Sequence, residues 1–354
     1  PGTWARERIA QRVPVMAGRQ SVESLRGASS AHHNPFLALL EPETTERGGR
    51  AWAMNLVYSG SFEAAVERDA YGHDRMSIGI QPFDFAWHLD PGAQFQTPEA
   101  VLLYSGQGLG ELSRQYHRLY HTRLCRGIYR DAPRPVLINN WEATYFDFDQ
   151  EKLLDIARVA AACGMDMLVL DDGWFGARND DTSSLGDWTV NWAKLPEGLD
   201  GLARRLKELG LRFGLWVEPE MISEDSALYR AHPDWCIHVP DRPRTPSRNQ
   251  LVLDLSRPDV CDWLIETLST LLRSADISYI KWDMNRNITE AGSSLLPPER
   301  QGELMHRYML GLYRVLETLT AAFPQVLFES CASGGGRFDP GMLYYMPQTW
   351  TSDD

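Results

Sequence analysis

The sequence predicts an α/β protein: a (β/α)8 barrel, with strands one to seven present, preceded by an antiparallel β domain. Three observations carry this. From residue 135 onward, short apolar runs alternate with longer amphipathic stretches at roughly 35 residues per unit, against the ~31 of a barrel of about 250 residues. Before residue 110 the chain holds short alternating or aromatic-rich runs separated by Gly, Pro, Asn and Asp, the pattern of an antiparallel sandwich. Between the two lies Asp131–Pro135, with two prolines, a boundary signal. The expected division is 1–109 for the β domain, 110–134 for a helical connector, and 135–354 for the barrel, ending before an eighth strand.

In chain order, Trp52–Tyr58, Phe62–Glu67, Met76–Ile80 and Ala100–Tyr104 read as strands of the first domain, with turns such as Asp90-Pro91-Gly92 between them. From Gly110 to Arg126, Leu112, Tyr116, Leu119, Tyr120 and Leu124 recur at helical spacing. The expected barrel strands are Pro135–Trp141, Met167–Asp172, Arg212–Glu218, Leu251–Leu255, Ser278–Asp283, Gln325–Glu329 and Gln348–Thr351. Helices are expected over Glu151–Cys163, Leu199–Leu209, Pro258–Ser274 and Gly302–Ala322. A doubly wound sheet shares this alternation; the period favours the barrel.

Composition removes several function classes. The 354 residues carry 35 Lys plus Arg against 48 Asp plus Glu, a net charge of −13, which suits neither nucleic acid nor an anionic membrane. No run approaches the ~18 apolar residues of a membrane span. The five cysteines are scattered without a CxxC pair, which argues against a disulfide framework or zinc cluster and for a reducing, cytoplasmic compartment. The twelve tryptophans suit either a sugar site or a core.

Barrel chemistry clusters at the C-terminal strand ends. Here those ends read Asn139-Asn140-Trp141-Glu142, Asp171-Asp172-Gly173-Trp174, Trp216-Val217-Glu218-Pro219-Glu220, Asp254 (with Arg248 before it), Lys281-Trp282-Asp283-Met284-Asn285-Arg286, Glu329-Ser330-Cys331-Ala332-Ser333-Gly334-Gly335-Gly336, and Trp350-Thr351-Ser352-Asp353-Asp354. One acid alone could be a surface charge or a helix cap. An acid at every end, with tryptophan at five, suits a sugar: carboxylates and amides read hydroxyls, and indole faces cover C–H patches. Glycosidic hydrolysis uses two carboxylates, and the best pair is Asp283 and Asp353, 70 residues apart. Lys281 alternates onto the face of Asp283; the competing reading is a structural ion pair in the barrel core.

The runs Leu170–Phe175, Lys281–Arg286 and Arg337–Asp353 strongly resemble the α-galactosidases of glycoside hydrolase family 36, as do Arg26–Ser30, Asn139–Asp147 and His232–Trp235. The resemblance spans nearly the whole chain. It implies the later part of a β-supersandwich domain packed on the barrel, and a retaining double displacement that releases galactose from α-1,6-linked melibiose, raffinose and stachyose. It implies no metal or organic cofactor. By motif, Asp283 resembles the nucleophile and Asp353 the acid/base. Asp171 and Asp172 resemble the pair that holds O4 and O6 of galactose. Trp141, Trp216 and Trp350 resemble the aromatic wall. Arg248 and Lys281 would bind O3 and its neighbours, Asn285 stands beside the nucleophile, and Cys331, Ser333 and Gly334 would line the side near O2 and O6. The expected partner is a small oligosaccharide, with neither nucleic acid nor membrane. A homo-oligomer, a tetramer by resemblance, is expected, its N-terminal loop preceding Pro1.

Other signals are set aside. His117 and His121 lack the Glu of a zinc HExxH motif, Gly106–Gly110 is no dinucleotide fingerprint, and Ser333–Arg337 lacks a phosphate-loop Lys. Alternatives on the same fold are an α-galactosyltransferase resembling raffinose synthases and an α-N-acetylgalactosaminidase; a galactose-binding protein without catalysis is the alternative from another class. The seven-strand count and the stop one residue past Asp353 also lead us to expect an excerpt of a longer chain, unstable or inactive alone because closing a barrel takes an eighth strand.

Overall fold

In the computed structural model, which describes residues 2–354, six strands of the first domain build two antiparallel sheets. They are β1 (Gly18–Ser24), β2 (Phe36–Leu40), β3 (Ala51–Val57), β4 (Phe62–Arg68), β5 (Asp74–Ile80) and β6 (Glu99–Ser105). One sheet runs β1-β4-β5 and the other β2-β3-β6, and they touch through β3 with β5 and β2 with β4. Four strands match the sequence expectation; β1 and β2 are additional. Helix α1 (Gly108–Leu119) continues as one π-helical turn through Leu124. Leu112 and Tyr116 of α1 bury against Ala51 and Ala53 of β3, because period-two burial on the strand meets i, i+4 burial on the helix.

The barrel region opens with β7 (Leu137–Asn139), α2 (Trp141–Thr144), α3 (Gln150–Ala162), β8 (Met167–Leu170), α4 (Gly198–Glu208) and β9 (Arg212–Val217). It continues through β10 (Met221–Ile222), α5 (Ala227–Ala231), β11 (Leu251–Val252), α6 (Pro258–Arg273), β12 (Ile277–Trp282), α7 (Leu304–Ala322) and β13 (Leu327–Ser330). Asp149 caps α3 by accepting from the Lys152 N–H, and Pro258 opens α6, both ordinary helix starts. Strands β7-β8-β9-β12-β13 lie side by side in that order, all parallel. Met167, Val169, Tyr279 and Leu327 are buried together between them. This is the strand–helix alternation of a partial (β/α)8 barrel, and the fold class is as the sequence predicts.

One expected strand needs correction. Leu251–Leu255 does not join the parallel sheet. Its first two residues, β11, pair antiparallel with β10. The Leu253 N–H donates to the Glu220 carbonyl and the Asp254 N–H to the Trp235 carbonyl, so its backbone is spent on loops. Strand β9 therefore pairs directly with β12, and Asp283 stands after the fourth strand of the sheet instead of the fifth. The expected run of seven barrel strands loses this member.

The chain ends with α8 (Pro340–Tyr345) and β14 (Gln348–Thr349). Two compact units result. The first takes the chain up to Arg126 together with Pro298–His306 and Cys331–Asp354; the second takes Gly127–Pro297 and Arg307–Ser330. Among the described residues no helix is long and apolar enough to cross a membrane.

Candidate active site

In the second unit, the strand ends hold two hydrogen-bonded groups, Asp171 with Lys281 and Asp283 with Trp216 and Asn285. Sheet register places Lys281 between Trp216 of β9 and Glu329 of β13, so three strand ends align in a row. The Lys281 ammonium reaches across to Asp171 Oδ2 at 2.9 Å, and Asn139 Nδ2 donates to the same oxygen at 2.5 Å. Asn140 Oδ1 accepts from the Asp171 N–H at 2.7 Å, fixing the turn after β8 to the end of β7.

Asp283 is buried, 6% exposed. Its Oδ2 accepts from Trp216 Nε1 at 3.1 Å and Asn285 Nδ2 at 2.9 Å, and its Oδ1 from the Met284 N–H at 2.9 Å. Its own N–H donates to the Val217 carbonyl at 2.8 Å. Three donors from two strands fix the direction of this carboxylate. Trp216 is itself held rigid: its ring stacks on Phe175 at 6.2 Å, and its carbonyl accepts from Trp174 Nε1 at 2.9 Å. Trp174 and Trp282 are fully buried, so part of the tryptophan content is core.

Asp172 is paired bidentately with Arg178, at 2.7 Å from Nε and 2.8 Å from Nη2. Burial pushes its carboxyl up, and the guanidinium opposes that shift. Trp141 lies edge-to-face with Tyr145 and Phe146, at 5.2 and 5.1 Å. Arg248 is exposed, with left-handed backbone at φ 53° followed by Asn249 at 56°.

Glu218 has a role the sequence did not reveal. It is 1% exposed, and its Oε1 accepts from Gln250 Nε2 at 2.8 Å and from the Asn285 N–H. Burial raises its carboxyl to about 7, the Asp283 charge adds to the rise, and the Asn285 bonds and Arg248 oppose it. Glu218 thus anchors the backbone of Asn285, whose side chain holds Asp283. In sequence Glu218 and Asn139 were legible only as polar strand ends. Arg178 carried no signal, since it sits in the loop after β8.

In the first unit, Trp350 Nε1 donates to Asp353 Oδ1 and Trp4 Nε1 to Asp353 Oδ2, both at 3.0 Å. Cys331 is buried, and Ser333 and Gly334 turn the chain with φ of 45° and 79°. A Cβ on Gly334 would lie 2.8 Å from the Asp353 backbone N, so the small residue lets that segment approach. Among the described residues no group of three or more His, Cys, Asp or Glu is placed to hold a metal ion.

The family model Melibiase matches residues 94–354, and the glycosyl hydrolase family 36 N-terminal domain matches residues 1–90. The chain is 63% identical to Alpha-galactosidase AgaA of Geobacillus stearothermophilus and 51% identical to Alpha-galactosidase 1 of Pediococcus pentosaceus, over its whole length in each case and over 49% and 48% of those proteins. It spans about half the length of these relatives. The crystal structure of the GH36 alpha-galactosidase AgaA superposes with a TM-score of 0.99, covering all of this chain and 49% of that one. AgaA variants have also been solved in complex with raffinose and with stachyose.

Proposed function

Because the chain belongs to glycoside hydrolase family 36, we propose that it carries the catalytic centre of a retaining α-galactosidase acting on terminal α-1,6-linked galactose of raffinose-type oligosaccharides. The observation that carries this is Asp283, a buried carboxylate at a barrel strand end whose direction is fixed by Trp216, Asn285 and the Met284 N–H. Asp283 attacks the anomeric carbon. Asp353 donates its proton to the leaving oxygen, then takes one from the water that hydrolyses the galactosyl-enzyme. The AgaA complexes lend support. The raffinose and stachyose structures used variants at two aspartates 70 positions apart, the spacing of Asp283 and Asp353.

Asp171 and Asp172 select an axial O4. Lys281 and Arg178 fix the direction of these two carboxylates, and an epimer that misplaces the hydroxyl forgoes its hydrogen bonds to them. Arg248, Lys281, Cys331, Ser333 and Gly334 would complete the hydroxyl contacts, with Trp141, Trp216 and Trp350 around the ring. The free cysteines fit a cytoplasmic setting, and a tetramer is the proposed assembly.

The test has two parts. Asp283→Ala is expected to reduce turnover of p-nitrophenyl α-galactoside to background, and an unchanged rate would refute the nucleophile. Proton NMR of the first-formed sugar should find α-galactose before mutarotation; β-galactose first would refute retention.

A further inference from the structure

The segment Trp4–Arg8 wraps around the chain that carries Asp353, all within the first unit. Thr3 and Arg6 exchange two backbone hydrogen bonds at 3.1 Å, closing a tight turn, and Ala5 and Arg8 sit in the left-handed region at φ 59° and 56°. Two non-glycine residues in that region within four positions are costly unless their surroundings hold them there. What holds them is a pair of opposite charges with separate targets. Arg8 Nη1 donates to the Gly335 carbonyl at 3.0 Å and Nη2 to the Thr351 carbonyl at 2.6 Å. Glu7 Oε1 accepts from the Gly335 N–H at 3.3 Å and Oε2 from Ser352 Oγ at 2.8 Å.

Glu7 and Arg8 therefore grip both backbone groups of Gly335 and the two residues just before Asp353. The Arg8 guanidinium also lies over the Phe338 ring, 5.1 Å from its centre. The glycine run reads in this light. A Cβ on Gly335 would lie 2.4 Å from Arg8 Nη1 and 2.4 Å from the Thr351 carbonyl oxygen, so glycine leaves the space this grip occupies.

We infer that Glu7 and Arg8 are positioning residues for the general acid: they clamp Gly335 against Thr351–Ser352 and so set the direction of the Asp353 carboxyl. The inference rests on the acid/base role proposed for Asp353. A displaced acid penalises substrates in proportion to how much their leaving group needs a proton. A sugar alkoxide needs it fully; fluoride and p-nitrophenolate need it little.

The experiment compares kcat/KM on raffinose with kcat/KM on α-galactosyl fluoride for Arg8→Ala, Glu7→Ala, Arg8→Lys and Asp353→Asn, with thermal melts of each. Arg8→Ala and Glu7→Ala are expected to lose roughly 10–100-fold on raffinose and little on the fluoride, as a displaced catalytic group does. Arg8→Lys keeps the charge but not the two-pronged fork, and should fall between parent and Arg8→Ala; if the alanine variants do not fold, it decides by the same selectivity. Equal losses on both substrates, or none, would overturn the inference. Asp353→Asn separates the two levels. If it is selective while the Glu7 and Arg8 variants are not, only the clamp is wrong; if it is not selective, the acid/base reading fails and the clamp with it.

Discussion

Glu218 turns the neighbourhood of Asp283 into a pH-dependent one. Its folded carboxyl is raised to about 7, chiefly by burial, while the unfolded chain releases that proton in the ordinary carboxyl range. Between those values the folded state binds the extra proton, so stability falls as pH rises through the window. Below the ordinary range both states are protonated and the slope vanishes. Glu218→Gln keeps an acceptor for Asn285 and Gln250 but cannot titrate. Melting temperature from pH 5 to pH 8 is expected to fall less steeply in this variant than in the parent; parallel slopes would mean Glu218 does not titrate there. The sequence shows which residues end the strands, since Asp171, Lys281 and Asp283 follow apolar runs. It does not show their partners: Lys281 meets Asp171 across 110 positions and Trp216 meets Asp283 across 67. Such pairings come from strand order, which no local pattern encodes.

Strand order is also where the pattern misleads. Leu251–Leu255 is as apolar as a central barrel strand, and an apolar run of that length fits a two-residue antiparallel ladder equally well. Only the backbone accounting of Leu253 and Asp254 separates the two. Helices fare better, because a 3.6-residue period over ten or more residues has no strand counterpart: the expected Pro258–Ser274 is α6, Pro258–Arg273. Helix α7 holds a glycine with a packing reason. A Cβ on Gly311 would lie 1.8 Å from the Leu255 carbonyl oxygen and 3.1 Å from Cys261 Sγ. Alanine gains about 1 kcal/mol of helix propensity there, but the collision with fixed backbone outweighs it. Gly311→Ala is expected to lower the melting temperature by several degrees; a rise would show that α7 can shift away from Leu255.

The first unit is assembled from three stretches of chain, ending with Cys331–Asp354, whose partners Trp4, Glu7, Arg8, Ser29 and Ser59 all lie far upstream. Asp339 makes the point: this buried carboxyl caps α8 and accepts from Ser29 Oγ and Ser59 Oγ, both at 2.6 Å. A chain begun at Gly127 keeps Asp283 and every strand from β7 onward but strips Asp353 of these supports. It is expected to bind the dye ANS and to lose the turnover proposed above; turnover near the parent level would mean that the upstream stretch is dispensable for placing Asp353. A domain boundary read from composition cannot foresee this, because two prolines mark where a linker runs and not which distant stretch folds back beside it.

The clamp also sets a timetable for the nascent protein. Arg8 and Thr351 stand 343 positions apart. At roughly 5–20 residues per second, a ribosome delivers the second about 20–70 s after the first. Until Thr351 and Ser352 follow, Glu7 and Arg8 lack these partners, and the two left-handed residues have no reason to stay curled. The loop that presents Asp353 can set only after Thr351 and Ser352 emerge, so the clamp closes long after both of its charged residues have been made.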